Sequence, residues 1–247
     1  MTPGRPTASG GNKPLSLHHV DAVGGEMDRG QVGLNFPAMW FDLFRVEIEA
    51  DSLPRILDAL SEGIRGCEDA IRHAGDLGKT KYVDNVVDSE CDMLEELLGM
   101  AFVACQVSIT RVVSRVHEFR QLAADGKGPL KGTGGKKEEI MYFGSGRVKE
   151  TGYTQVQIID AFANYYKHRD GWRGSWDKLK DPRQKKAADI IRSVGATEGS
   201  TGNLRTGAKA LGNLELTDLN VFLQAIRSWQ DAQRAQCWRE FTSRGLL

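Results

Sequence analysis

One heptapeptide concentrates groups that could act on a phosphodiester: Asn164-Tyr165-Tyr166-Lys167-His168-Arg169-Asp170. An imidazole titrates near neutral pH, so His168 could take the proton of a ribose 2′-hydroxyl and return one to the leaving oxygen. On a helix Asn164 stands one turn before His168, with Asp160 a further turn back on the same side. A carboxamide there could orient a phosphate oxygen, and Lys167 or Arg169 could offset charge developing on the phosphorus. This chemistry assigns catalytic roles to His168, Asn164 and Arg169 and requires neither a metal nor a cofactor. The competing reading of a single His near a helix end is a capping or core residue.

The heptapeptide opens a basic stretch. Residues 165 to 186 hold eight Lys and Arg against three Asp, a local net of +5 in a chain whose 33 basic and 33 acidic side chains cancel overall. That overall balance argues against a polybasic coat or an acidic tail. Aromatic rings are interleaved with the cations. Cations that neutralise phosphates beside rings that stack on bases suit single-stranded RNA. Lys167, Arg173, Trp172, Trp176, Lys178 and Lys180 are therefore the expected RNA-binding residues. The alternative is that the rings fold back into the core and the cations meet an acidic run, Asp84, Asp88, Glu90, Asp92, Glu95 and Glu96. Exposed pairs of that kind contribute only about 0–1 kcal/mol each.

Helices must position these groups. Residues 1 to 35, with seven Gly and three Pro, read as a flexible leader. Phe36, Met39, Trp40, Leu43, Phe44, Val46 and Ile48 fit an apolar helical stripe, although Val46 and Ile48 would also suit a strand. Asp51 or Ser52 with Pro54 starts the next helix, whose apolar positions run from Ile56 to Ala74. From Val83 to Ala124 there is no Pro and one Gly. Leu94, Leu97, Leu98, Ala101, Cys105, Ile109, Val112, Val116 and Phe119 recur there at helical spacing, which predicts a rod of roughly 60 Å. Its centre, Leu97 to Cys105, is apolar all round, as in a helix surrounded by others.

Residues 125 to 137, with five Gly and four Lys, read as a mobile basic linker. They miss a phosphate loop because Leu130 and Lys137 stand where Gly and Ser or Thr are needed. Ile140 to Phe143 suggests a short docking segment. Thr154 caps a helix running to about Gly171, Asp181-Pro182 opens another to Val194, Asn203 to Leu211 forms a short one, and Thr217-Asp218 starts a long last one. The fold class expected is an all-α, irregular bundle around one very long central helix, with residues 36 to 247 as a single domain. Cys67, Cys91, Cys105 and Cys237 show no metal spacing and fit a reducing, cytoplasmic setting. A nine-residue apolar run falls short of the roughly 18 that suggest a membrane span, so no membrane partner is expected.

The bundle and its late Asn164…His168 pair resemble the HEPN superfamily, whose catalytic signature is Arg, a polar residue, three others and His. Asn164 and His168 match the polar and His positions; Ala163 stands where Arg is expected. The similarity covers residues 36 to 170. The phrase Asn164 to Asp170, Trp172 after it and Leu97 to Val113 are also similar to uncharacterised bacterial helical proteins of this kind. The resemblance implies a homodimer and a role in bacterial defence or a toxin–antitoxin pair. With Arg missing, it implies a non-catalytic module that binds RNA, a protein partner or an antitoxin. The alternative is a metal-independent endoribonuclease using His168.

Overall fold

The computed structural model describes residues 52–78, 80–124, 136–172, 174–212, 215–243 and 245. The leader, the 36–48 stripe, residues 125–135 of the basic linker and Arg173 lie outside the described residues. All the described residues belong to one compact unit within Asn35–Leu247.

The described elements are α1 (Ser52–Asp76), α2 (Lys81–Ala124), α3 (Lys137–Tyr142), α4 (Gln155–His168), α5 (Pro182–Ser193), α6 (Asn203–Ala210) and α7 (Asn220–Thr242). Two 3₁₀ turns, Arg169–Trp172 and Trp176–Lys178, join α4 to α5. The fold is all-α, with no strand among the described residues.

The long helix forms because its apolar residues face neighbours over most of its length. Leu94, Leu98, Ala101, Phe102, Cys105, Ile109, Val116 and Phe119 are buried. Phe102 stacks on Phe162 of α4 at 5.2 Å and meets Phe222 of α7 edge-on at 4.9 Å, so one ring ties three helices together. Phe119 and Phe241 repeat the α2–α7 contact at 4.4 Å. By length and composition α2 could also cross a membrane, and 50% of its most apolar window is buried in the bundle. The nine-residue run understates that potential because small residues and isolated charges extend the apolar stretch beyond it.

Local signals set most of the other boundaries. Thr154 accepts the Gln157 N–H at 3.3 Å while the Gln157 side chain accepts the Thr154 N–H at 2.8 Å, a reciprocal cap on α4. Asp181 accepts the Arg183 N–H at 2.8 Å ahead of α5. Three expectations shift. α4 ends at His168 and tightens into a 3₁₀ turn. The docking segment begins at Lys137, inside the expected linker. Asp218 accepts the Asn220 N–H at 3.0 Å, delaying α7 to Asn220.

Gly99, in the middle of α2, is a seat for another side chain. The Tyr166 ring of α4 occupies the space a Cβ there would fill. Gly66 of α1 has nothing within 4 Å of that position. Helix propensity alone favours Ala over Gly by about 1 kcal/mol, and overpacking costs about 1–3 kcal/mol. Gly66→Ala should therefore raise the urea midpoint and Gly99→Ala lower it; matching shifts would contradict the packing at Gly99.

Candidate functional site

The second half of α4 lies between two clefts. The first, about 360 Å³, opens between α2, α3, α4 and α5 and is lined in part by Lys137, Tyr142, Asp160, Asn164, Arg183 and Lys186. The second, about 510 Å³, lies between α2, the end of α4, the 3₁₀ turns and α6.

Asn164 is tied into the wall of the first cleft. The buried Gln106 amide of α2 donates to Asp160 Oδ1 at 2.6 Å and to Asn164 Oδ1 at 3.1 Å. Lys167 Nζ donates to Gln106 Oε1 at 2.7 Å. The three α4 residues are spaced four and three apart, so they form one stripe facing one partner. Burial pushes the Asp160 carboxyl above its ordinary value, opposed by the Gln106 bond, the Lys167 charge and a bond from Asn164.

Cations stand around this cleft. Lys137 Nζ lies 3.4 Å from Ser114 Oγ. Lys186 pairs with Glu138 and lies 5.2 Å from the centre of the Tyr142 ring. Arg183 is exposed and makes no ion pair with a described residue.

His168 is exposed, one turn beyond Asn164, and is not among the residues lining either cleft. Asn164 thus shares Gln106 with Asp160 and Lys167, while His168 stands one helical turn further on. Arg169 lies along the second cleft, paired with Glu96, its guanidinium 5.1 Å from the Tyr166 ring centre. The Tyr166 hydroxyl donates to the same Glu96 carboxylate at 2.8 Å. Arg169 is thus engaged away from the Asn164 wall.

Two of the expected RNA-binding residues are corrected. Trp172 and Trp176 are 3% and 1% exposed. They pack edge-on against each other at 6.1 Å and against Tyr165 at 5.5 and 6.0 Å. Arg192 already lies over Trp176 at 5.5 Å. Enclosed this way, they have no face on which a base could stack, and the reading in which the rings fold inward holds for this pair. Lys178 and Lys180 are exposed and make no ion pair with a described residue.

Two positions escaped the sequence reading. Glu95, one of the six acids of the run, is 6% exposed and accepts the Leu204 and Arg205 N–H groups at 2.9 and 3.3 Å and Arg205 Nε at 3.1 Å. It caps α6, whose own N-cap, Gly202, has no side chain to do so. That missing local cap was the available signal. Burial raises the Glu95 carboxyl against these bonds. Gln106 was the other, a polar residue directly after the all-apolar run.

Among the described residues no group of three His, Cys, Asp or Glu could hold a metal ion, and all four cysteines are free. No protein family, characterised protein or solved structure matches the chain.

The Arg169 bond holds the Glu96 carboxyl below its ordinary value of 4.5, with the Tyr166 hydroxyl adding to it against partial burial. A carboxylate lowered on folding stabilises the native state above its unfolded value, and that gain is lost as pH falls through the lowered value. Glu96→Gln should therefore flatten the acid side of a plot of urea midpoint against pH, beginning below about 4.5. A slope equal to that of the wild type would contradict the pairing.

Proposed function

We propose that this protein is a non-catalytic helical module that binds RNA along the basic rim of the first cleft. The observation that carries the reading is that Lys137, Arg183 and Lys186, from α3 and α5, border a cleft with an Asp160–Asn164 wall. Lys178 and Lys180 add exposed cations just before α5. Side chains on separate elements that can neutralise neighbouring phosphates supply the sequence-independent part of nucleic-acid affinity.

The non-catalytic part rests on how the motif residues are used. Asn164 holds Gln106, Arg169 holds Glu96, and Ala163 offers no cation. Transition-state charge stabilisation of the kind a phosphodiesterase needs is worth about 3–4 kcal/mol per donor, and the two cations flanking His168 are engaged elsewhere, Lys167 with Gln106 and Arg169 with Glu96. This agrees with the degenerate form of the HEPN signature.

Fluorescence anisotropy with a twelve-nucleotide single-stranded RNA tests the reading. Lys137→Glu/Lys180→Glu/Arg183→Glu should bind at least tenfold more weakly, with a shallower salt dependence, by about 0.7 in log–log slope for each phosphate no longer neutralised. Unchanged affinity would reject the surface. His168→Ala should bind like the wild type, and neither protein should cut the RNA in chelator; cleavage that disappears in His168→Ala would establish the endoribonuclease instead.

A further inference from the structure

One solvent-facing strip of α2 is apolar and borders no cleft. Met93, Met100 and Val107 stand at seven-residue steps and are 52%, 46% and 45% exposed. The half-buried Leu97 and Ala104 fill the alternating four- and three-residue steps between them. That is the spacing by which one helix keeps an apolar seam against another. α1 widens the strip. Its exposed Ile56 shares a face with the half-buried Leu60 and with Gly63, where an added Cβ would lie 3.1 Å from Leu97 Cδ1. None of these residues lines either cleft. Scattered exposed apolar side chains are ordinary, whereas a continuous strip in register marks a contact surface.

The ends of the strip point to its occupant. The same steps carried outward reach Glu90, three residues before Met93, and Arg111, four after Val107. These are the first charges in the seam, opposite in sign at opposite ends, and neither is in an ion pair with a described residue. A second copy laid parallel would set Glu90 against Glu90 and Arg111 against Arg111. Laid antiparallel, it brings each Glu90 to Arg111 of the partner subunit, and charges beside a seam set orientation in this way. The sizes agree. Pairing about the middle of the strip puts the small Ala104 beside the large Met100 of the partner subunit, and Leu97 beside Val107 of the partner subunit. By twofold symmetry each match occurs twice.

We propose that α2 pairs antiparallel with α2 of a second copy of this chain along the Met93–Val107 strip, with Ile56 and Leu60 of α1 covering its edge. The surface uses neither Asn164 nor His168 and does not depend on RNA binding at the first cleft.

Sedimentation velocity of the full chain over a hundredfold range of concentration tests the pairing. The mass should rise reversibly from 27.3 kDa toward twice that value. Met100→Glu and Met100→Lys each set like charges across the twofold axis and should weaken the dimer at least tenfold. Mixed together, the two variants should pair with each other. Glu90→Arg should weaken the dimer severalfold, and Glu90→Arg/Arg111→Glu, which exchanges the two ends, should recover it. If Met100→Glu loses its helical circular dichroism, the end-exchange variants decide. A wild type that stays monomeric, a dimer indifferent to Met100→Glu, or a mixture that fails to pair would overturn the proposal. A monomer that instead floats with phosphatidylcholine vesicles would overturn it in favour of a lipid-facing strip.

Discussion

One carboxamide buried in the apolar middle of the long helix governs how the bundle presents its surface. Gln106 carries two N–H donors and a carbonyl into a region of low polarity, where an unmet group costs about 1–3 kcal/mol. α4 meets that demand only when Asp160, Asn164 and Lys167 all face α2. The same setting lays Phe162 on Phe102 and seats Tyr166 over Gly99. A polar clamp and an apolar stack thus agree on one orientation of α4, and the two clefts follow from it.

That orientation separates groups that the linear sequence holds together. Asn164 and Lys167 turn to the first cleft and its cations, Tyr165 and Arg169 to the second cleft and its carboxylates, and His168 to solvent. One short helix segment thereby borders two surfaces of opposite character. Lys137, Arg183 and Lys186 border the first cleft, while Asp92, Glu95, Glu96 and Asp170 line the second. The residues most suggestive of catalysis are mainly occupied in holding the fold that separates these surfaces.

The architecture was largely legible because helical periodicity is a local property. The long run from Val83 to Ala124, the Thr154 cap and the Asp181-Pro182 start each carry their signal within a few residues. The site was legible only in part. Asn164 stood out as a polar residue one turn before a His, but its partner Gln106 lies 58 residues away and nothing in the motif names it. Glu95 looked like one more member of a solvated acidic run, while its targets at the start of α6 lie 109 and 110 residues downstream. Trp172 and Trp176, interleaved with cations, fit a stacking surface as well as a folded-back core. Only the packing against Tyr165 distinguishes the two.

The most direct measurement is a double-mutant cycle across the clamp, with urea unfolding of Gln106→Met, Asp160→Ala and the pair. Residues joined through one buried network couple by about 0.5–3 kcal/mol. A coupling of about 1 kcal/mol or more is expected here, because Gln106→Met takes from Asp160 its bond to α2 and Asp160→Ala leaves one Gln106 N–H without its acceptor. Effects that simply add, to within about 0.3–0.5 kcal/mol, would mean that Gln106 does not hold α4 and that the division into two clefts has another cause.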